Sequence, residues 1–426
     1  MAETLYDLPP LADSSAARFD EQAWQELLAD AAAQVRQRED EHRLPRELLT
    51  RVLDLGLGRA RVPVAQGGLG WSLRTTIERL IELAAADSHL AHVFRGHLVL
   101  LEEVALFAEP AVREEWFARA VAGDFIGNAQ SEQTATLEVT TTLRRDGDRY
   151  LLSGTKYYTT GSIYADWIDL VATTEDGEIA LVTVSTAQAG VVCEDDWDGF
   201  GQQLTGTGTT RFVDAEVELR DVRGSERSTA QGQLRQGLFQ LVLLAVLAGI
   251  GQASVDAAVT YVKGRRRLFG RFGETEVRED PLVQDTVGSA ASGAFAARTL
   301  VTAVAETWDR LIEDHRLGLA TEEDFREGKR DVFHIQGEVV DRVLTLTTEI
   351  FEVGGASQVT ARHGFDRFWR HARTVASHNP ARQRRRLIGA HALGVEASAE
   401  QFGDVSPAAS SLSSSPTTSP VSSPTP

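Results

Sequence analysis

The sequence predicts a mainly α protein with a central β-domain, on three observations. Apolar residues recur at helical spacing towards both ends of the 426-residue chain. Between about Gly123 and Gly224, Thr, Val, Tyr and Ile alternate instead with polar residues and Gly-Asp turns. After Gln231 the helical period returns in four long segments joined by short turns. The predicted units are an N-terminal α-helical domain (1–122), a middle β-domain (123–231), a C-terminal four-helix bundle (232–400) and a Ser/Pro-rich tail (401–426).

In order along the chain, residues 15–60 carry Trp24, Leu27, Leu28, Ala31 and Val35, then Leu48, Leu49, Val52 and Leu53, among many charges. These are amphipathic helices. Arg61 to Trp71 breaks the pattern with Pro63 and three glycines, a turn whose backbone can approach a neighbour closely. A helix from about Ser72 to Ala86 follows, then one bearing His89, His92 and His97, of which the first two can share a face. No third ligand or carboxylate stands at zinc-site spacing, so no metal is expected. In the β-domain, Asp146-Gly147-Asp148 and Glu175 to Glu178 are hairpin signals. The bundle segments run from about 235 to 265, 280 to 314, 322 to 354 and 366 to 395. The first is apolar nearly all round, which places it at the centre of the bundle or in a subunit interface. The tail is too rich in Ser, Pro and Thr to order itself and is expected to be disordered.

Composition narrows the function. With 62 acidic against 43 basic residues the net charge is −19, which repels phosphate backbones, so nucleic acid is not an expected partner. One cysteine, Cys193, allows no internal disulfide. No apolar run is read as approaching the roughly 20 residues of a membrane span. The first residues carry neither the basic nor the apolar region of a secretory signal, and a cytoplasmic protein is expected.

The knot Ala376-Ser377-His378-Asn379-Pro380 lies between two basic helical runs. A single imidazole there suits a site wall, although Asn379-Pro380 can equally start the next helix and leave His378 in a solvated loop.

The order of helices, β-domain and bundle, together with four motifs, resembles the acyl-CoA dehydrogenase fold over nearly all of residues 20–395. VPVAQGGLG is similar to that family's "vPeeyGGlG" turn, LLSGTKYYTTGS to its flavin-side strand pair, DWDGFGQQLTGTGTTRF to "lGxrxTxsgxvxF", and FEVGGASQV to its "GG" turn. That resemblance implies a barrel-like middle domain. The dehydrogenases commonly carry a glutamate base just before the last helix; here Ser377-His378-Asn379-Pro380 takes its place. The first bundle helix offers Gln252 but no carboxylate over Gly249–Val255.

The replaced base, and the run Gly127 to Glu132 standing in place of that family's "TEPxxGSD" segment, are both shared with the two-component, reduced-flavin-dependent monooxygenase branch that dibenzothiophene monooxygenase exemplifies. The matches are His92 and His97, the run Gly127 to Glu132, Ser162 after Ser-Gly-Thr-Lys, Asp196 to Gly208, Tyr261 to Arg267, and His378-Asn379-Pro380. The resemblance implies a monooxygenase that oxidises a small apolar or aromatic organosulfur compound through a C4a-hydroperoxyflavin. Its catalytic residues would be His92 and His378. Asn128, Ser131 and Ser162 would meet the flavin edge, and Trp197 its face unless it is a core aromatic. Arg265 and Arg267 would hold the phosphate unless their run is a solvated face. Gly354 and Gly355 would complete a neighbour's site in a homotetramer. Phe94, Gly96, Tyr158 and Phe200 would wall the substrate pocket, Gly96 standing where that branch often has an aromatic.

No GxGxxG fingerprint follows a strand, so a separate flavin reductase is expected to deliver reduced FMN, with FAD as the alternative. Small-molecule substrate and O2 complete the partners. The competing readings are a dehydrogenase with a relocated base, an N-oxygenase or hydroxylase of the same fold, and a non-catalytic scaffold.

Overall fold

The computed structural model describes residues 19–133, 139–225, 228–265 and 276–395. Five helices open the chain: α1 (Glu21–Asp40), α2 (Arg46–Asp54), α3 (Leu73–Ala86), α4 (Ser88–Phe107) and α5 (Pro110–Ala122). Their starts follow from side-chain caps. Asp20 accepts from the Ala23 N–H, Ser72 from the Thr75 N–H and Asp87 from the His89 N–H. Helix α4 is buried almost all round, and yet it carries Arg95, Glu102, Glu103 and three histidines. Each of those polar groups must therefore find a partner inside the protein.

Eight strands follow: β1 (Ile126–Ala129), β2 (Thr142–Asp146), β3 (Arg149–Lys156), β4 (Trp167–Thr174), β5 (Ile179–Ser185), β6 (Val191–Cys193), β7 (Thr210–Glu218) and β8 (Val222–Gly224). The two predicted hairpins are present as the antiparallel pairs β2–β3 and β4–β5. The sheet order β6-β7-β3-β2-β4-β5-β8, with β1 added beside β4, rests also on two parallel pairings to β4, from β1 and β2. No turn signal announces those.

The bundle consists of α6 (Ala230–Gly264), α7 (Pro281–Arg316), α8 (Glu322–Glu349), α9 (Asp366–Ser377) and α10 (Ala381–Ala392). The last segment, read as one helix from 366 to 395, is therefore two. The break falls at His378-Asn379-Pro380, and Asn379 caps nothing. Its side-chain amide donates to Gln240 Oε1 on α6 (2.7 Å), and its carbonyl accepts from Gln336 Nε2 on α8 (2.9 Å). Two bundle helices thus fix the knot, which is more than a solvated loop requires.

Helices α6 and α7 are long and apolar enough to cross a membrane by composition, contrary to the sequence reading. The apolar window of α6 is 83% buried inside the protein, whereas that of α7 is 28% buried. The apolar character of α6 is thus used in the core it shares with α3, α4, α7 and α8. At Gly249 a Cβ would stand 2.4 Å from Ala84 Cβ and 2.6 Å from the Ile81 carbonyl oxygen. Gly249→Val should cost about 1–3 kcal/mol or more, because α3 backbone has to move. A midpoint of thermal unfolding equal to wild type would contradict this packing.

Candidate active site

A cavity of about 830 Å3 opens between α4, the sheet and the α9–α10 knot. Helix α4 sends His92 and Arg95 to its wall, the knot sends His378 and Asn379, and the strand region sends Asn128, Ser131 and Tyr158. Trp197 and Phe200 line it from the segment before β7. His92 and His378, 286 positions apart in numbering, thus face one another with ring centroids 6.4 Å apart.

Both imidazoles are neutral at neutral pH. Burial pushes His92 down to about 4, against a hydrogen bond to Gln202, with the charge of Arg95 adding to the depression. His378 counts as exposed by area, but that area belongs to the cavity wall. Enclosure by protein, then the neighbouring Arg95 and His92, hold it well below the ordinary histidine value. The tautomers follow from the partners. Arg95 Nη1–H donates to His378 Nε2 at 2.9 Å, and arginine accepts nothing, so the His378 proton sits on Nδ1. Gln202 donates its amide to Ser88 Oγ (2.8 Å) and accepts from His92 Nδ1–H at 3.0 Å, which leaves a lone pair on His92 Nε2.

Gln202 is itself held in place. Its backbone N–H donates to His371 Nδ1 (3.0 Å), and His371 Nε2–H donates to Glu39 (2.9 Å), whose carboxyl is lowered to about 2 in spite of burial by His371, His89 and Arg367. Gln202 takes a positive φ of 55°, a strained conformation that this network over-determines. His89 lies in that second cluster, within 4.8 Å of Glu39 and His371 by ligand atoms, and bonds Asp87. It does not share the cavity with His92.

Several expected residues lie elsewhere. Phe94 packs in the core against Phe125 and His97, and does not reach the cavity. Gly96 is also away from it: a Cβ there would stand 2.8 Å from Asn128 Cβ and 3.0 Å from Asn128 N, because α4 packs directly on β1. The side chain that α4 gives the wall at this level is Arg95. Ser162 is buried one layer behind the cavity lining. Arg265 reaches the carbonyl of Val353 (3.0 Å) beside Gly354 and Gly355, and none of the three lines the cavity of its own chain. Arg267 and the tail lie outside the described residues.

His97 has both ring nitrogens satisfied, Nε2–H on the Gly58 carbonyl (2.5 Å) and Nδ1 accepting from the Ile126 N–H (3.3 Å). It ties the first turn region to β1. His97→Ala should lower stability by about 1–3 kcal/mol in thermal unfolding and leave ligand binding in the cavity unchanged; altered binding with unaltered stability would contradict this.

Arg95, Gln202 and the hydroxyl chain Thr160–Thr207–Thr205 (3.1 and 2.7 Å) are site features that motif matching missed. Arg95 had a legible signal: a cation three positions from His92, in a helix whose neighbours are apolar.

The polar inventory fits a flavin. His92 Nε2 and Asn128 Oδ1 are buried on residues of the cavity wall without a hydrogen-bond partner, and Ser162 Oγ, behind that wall, is also unpartnered. A polar heterocycle edge supplies what such orphans need. Among the described residues lining the cavity the sole carboxylate is Glu132, and it is consumed by Lys156 Nζ (2.6 Å), Thr140 and Thr141.

Three acyl-CoA dehydrogenase family models match the chain: the N-terminal domain over 17–124, the middle domain over 128–215 and the C-terminal domain over 241–383. Dibenzothiophene monooxygenase of Rhodococcus erythropolis is 31% identical over 353 residues, covering 78% of this chain and 83% of that protein. FMN-bound TdsC from Paenibacillus sp. A11-2 superposes with a TM-score of 0.82 at 29% identity, covering 88% of this chain and 96% of TdsC. Methanesulfinate monooxygenase MsuC from Pseudomonas fluorescens gives 0.81 at 26% identity, with 90% and 98% covered. By these matches the chain belongs to the flavin-dependent monooxygenase branch of the acyl-CoA dehydrogenase superfamily.

Proposed function

We propose that this protein is a two-component monooxygenase that takes reduced FMN from a separate reductase and oxidises a small organosulfur compound. The observation that carries the reading is the neutral pair His92 and His378 across a cavity that offers no free carboxylate among its described residues. A dehydrogenase needs a base for the proton next to a thioester, and Glu132, held down to about 2 by Lys156 and Thr140, is not available for it. The names of the relatives supply the sulfur chemistry and the FMN.

Reduced flavin, when bound, supplies the electrons and the activation of dioxygen. Asn128, with Ser131 beside it on the cavity wall, would hold its edge, and Trp197, with its indole N–H fixed on the Gly201 carbonyl (3.0 Å), would flank it. His92 would accept a proton at Nε2, and His378 would present a ring whose tautomer Arg95 sets. Tyr158 and Trp197, ring centroids 5.9 Å apart, and the exposed Phe200 give the cavity wall an apolar, aromatic side.

A cytoplasmic homotetramer is the assembly proposed. Its support is the exposed apolar surface of α7, including Leu282 and Phe295, and the pairing of Arg265 with the Gly354-Gly355 turn on a face outside the cavity. A neighbouring copy would use that turn and Arg265 to complete a site.

The test is turnover of purified protein with FMN, NADH, a flavin reductase and organosulfur compounds. Incorporation of one oxygen atom from O2 into product is the expected result. Flavin reduction by an acyl-CoA without oxygen would sink the reading.

A further inference from the structure

Arg95 is a buried cation that no carboxylate among the described residues balances. It is 7% exposed and lines the cavity. Its Nε–H donates to the Phe239 carbonyl (3.2 Å), its Nη1–H to His378 Nε2 (2.9 Å), and its guanidinium lies over the Phe239 ring at 4.6 Å. None of these partners is charged. Burial lowers its pKa to about 9, still well above neutrality, so it carries its charge. Arg235, the other buried arginine in the wall, shows the contrast. It is paired with Glu103 and with Asp169 (2.6 Å), which Arg223 also engages.

A desolvated charge without a counter-charge is costly, and in a protein of net charge −19 a carboxylate beside it would have been easy to supply. The missing charge therefore has to come from a ligand. We infer that the substrate carries an anionic group, a carboxylate or a sulfinate, that pairs with Arg95 beside His378. This rests on the reading of the cavity as a flavin monooxygenase site, and it narrows the substrate from an apolar sulfide to a small acid. A flavin whose ring edge was held by Asn128 and His92 would carry its phosphate away from that edge, at the end of the ribityl chain. That leaves Arg95 to the substrate.

The experiment is equilibrium titration of the full-length protein with benzenesulfinate and with its neutral counterpart methyl phenyl sulfide, with and without saturating oxidised FMN. Wild type should bind benzenesulfinate about 10- to 100-fold more tightly than the Arg95→Met variant, the difference a charge-assisted pair makes. Arg95→Lys should recover part of that affinity, and methyl phenyl sulfide should bind Arg95→Met at least as well as wild type. Equal benzenesulfinate affinity in wild type and in a folded Arg95→Met, checked by circular dichroism, overturns the inference. So does an Arg95→Met that loses FMN but keeps riboflavin, since Arg95 would then serve the flavin phosphate. The titration without flavin separates the two readings. A wild type that binds benzenesulfinate through Arg95 but never binds FMN overturns the flavin reading and supports the anion site.

Discussion

Replacing His378 or His92 by alanine lowers the oxygenated product formed per reduced FMN consumed by about 10²- to 10⁴-fold, the range general acid–base groups contribute. Oxygen consumption continues in both variants, with hydrogen peroxide accounting for the difference. The reason lies in the two fixed tautomers: His92 offers a lone pair at Nε2 because its one N–H, at Nδ1, donates to Gln202 Oε1, and His378 holds its proton at Nδ1 because Arg95 donates to Nε2. One ring can accept a proton, and the other keeps a defined donor, across 6.4 Å between centroids. The pH dependence is a separate signature. His92 titrates near 4 and His378 well below its ordinary value, so neither changes charge between pH 6 and 8. Activity should show no acid limb at the usual histidine value and fall only as pH approaches about 4. Coupling ratios equal to wild type in either alanine variant would remove the histidine from the chemistry.

Much of this was legible before any coordinates. Amphipathic spacing marks the helices because a stripe must meet a core, and the Gly-Asp turns mark the two hairpins. His378 stands out because a small polar knot between helices suits a site wall better than a core, and its pairing with His92 comes from a resemblance, not from spacing. Four things were not legible, each for a physical reason. The parallel additions of β1 and β2 to β4 leave no turn signature, since the strands are joined by long crossovers. Gly96 looked like space for a substrate, but the absent side chain lets α4 press on Asn128. Phe94 turns to the core because one residue along a helix rotates the side chain by about 100° from its neighbour. Gln202 is found only through its partners Ser88, His92 and His371, which come from two distant helices.

The largest stability effect should come from a buried cluster that holds the three units together. Glu103 of α4 and Asp169 of β4 are 1% exposed or less by side chain, and they face Arg223 of β8 and Arg235 of α6. Glu103 accepts from Arg223 Nε (2.9 Å), from Gln231 (2.8 Å) and from Arg235; Asp169 accepts from both arginines at 2.6 Å. Burial raises Asp169 to about 6 even with Arg223 at hand, which measures how costly the site is for charge. The cluster is tolerated because two carboxylates balance two guanidiniums. Glu103→Ala leaves two buried cations against one anion, and should cost about 3–5 kcal/mol. Thermal unfolding would show a drop of several degrees, whereas Glu338→Ala, which breaks the exposed pair with Arg342 on α8, should leave the midpoint nearly unchanged. If both substitutions shift the midpoint equally, the cluster is not what joins sheet to helices. Because Arg235 also lines the cavity, Glu103→Ala weakens its counter-charge there too. A folded Glu103→Ala should therefore bind benzenesulfinate more tightly than wild type, which ties the stability of the frame to the charge of the site.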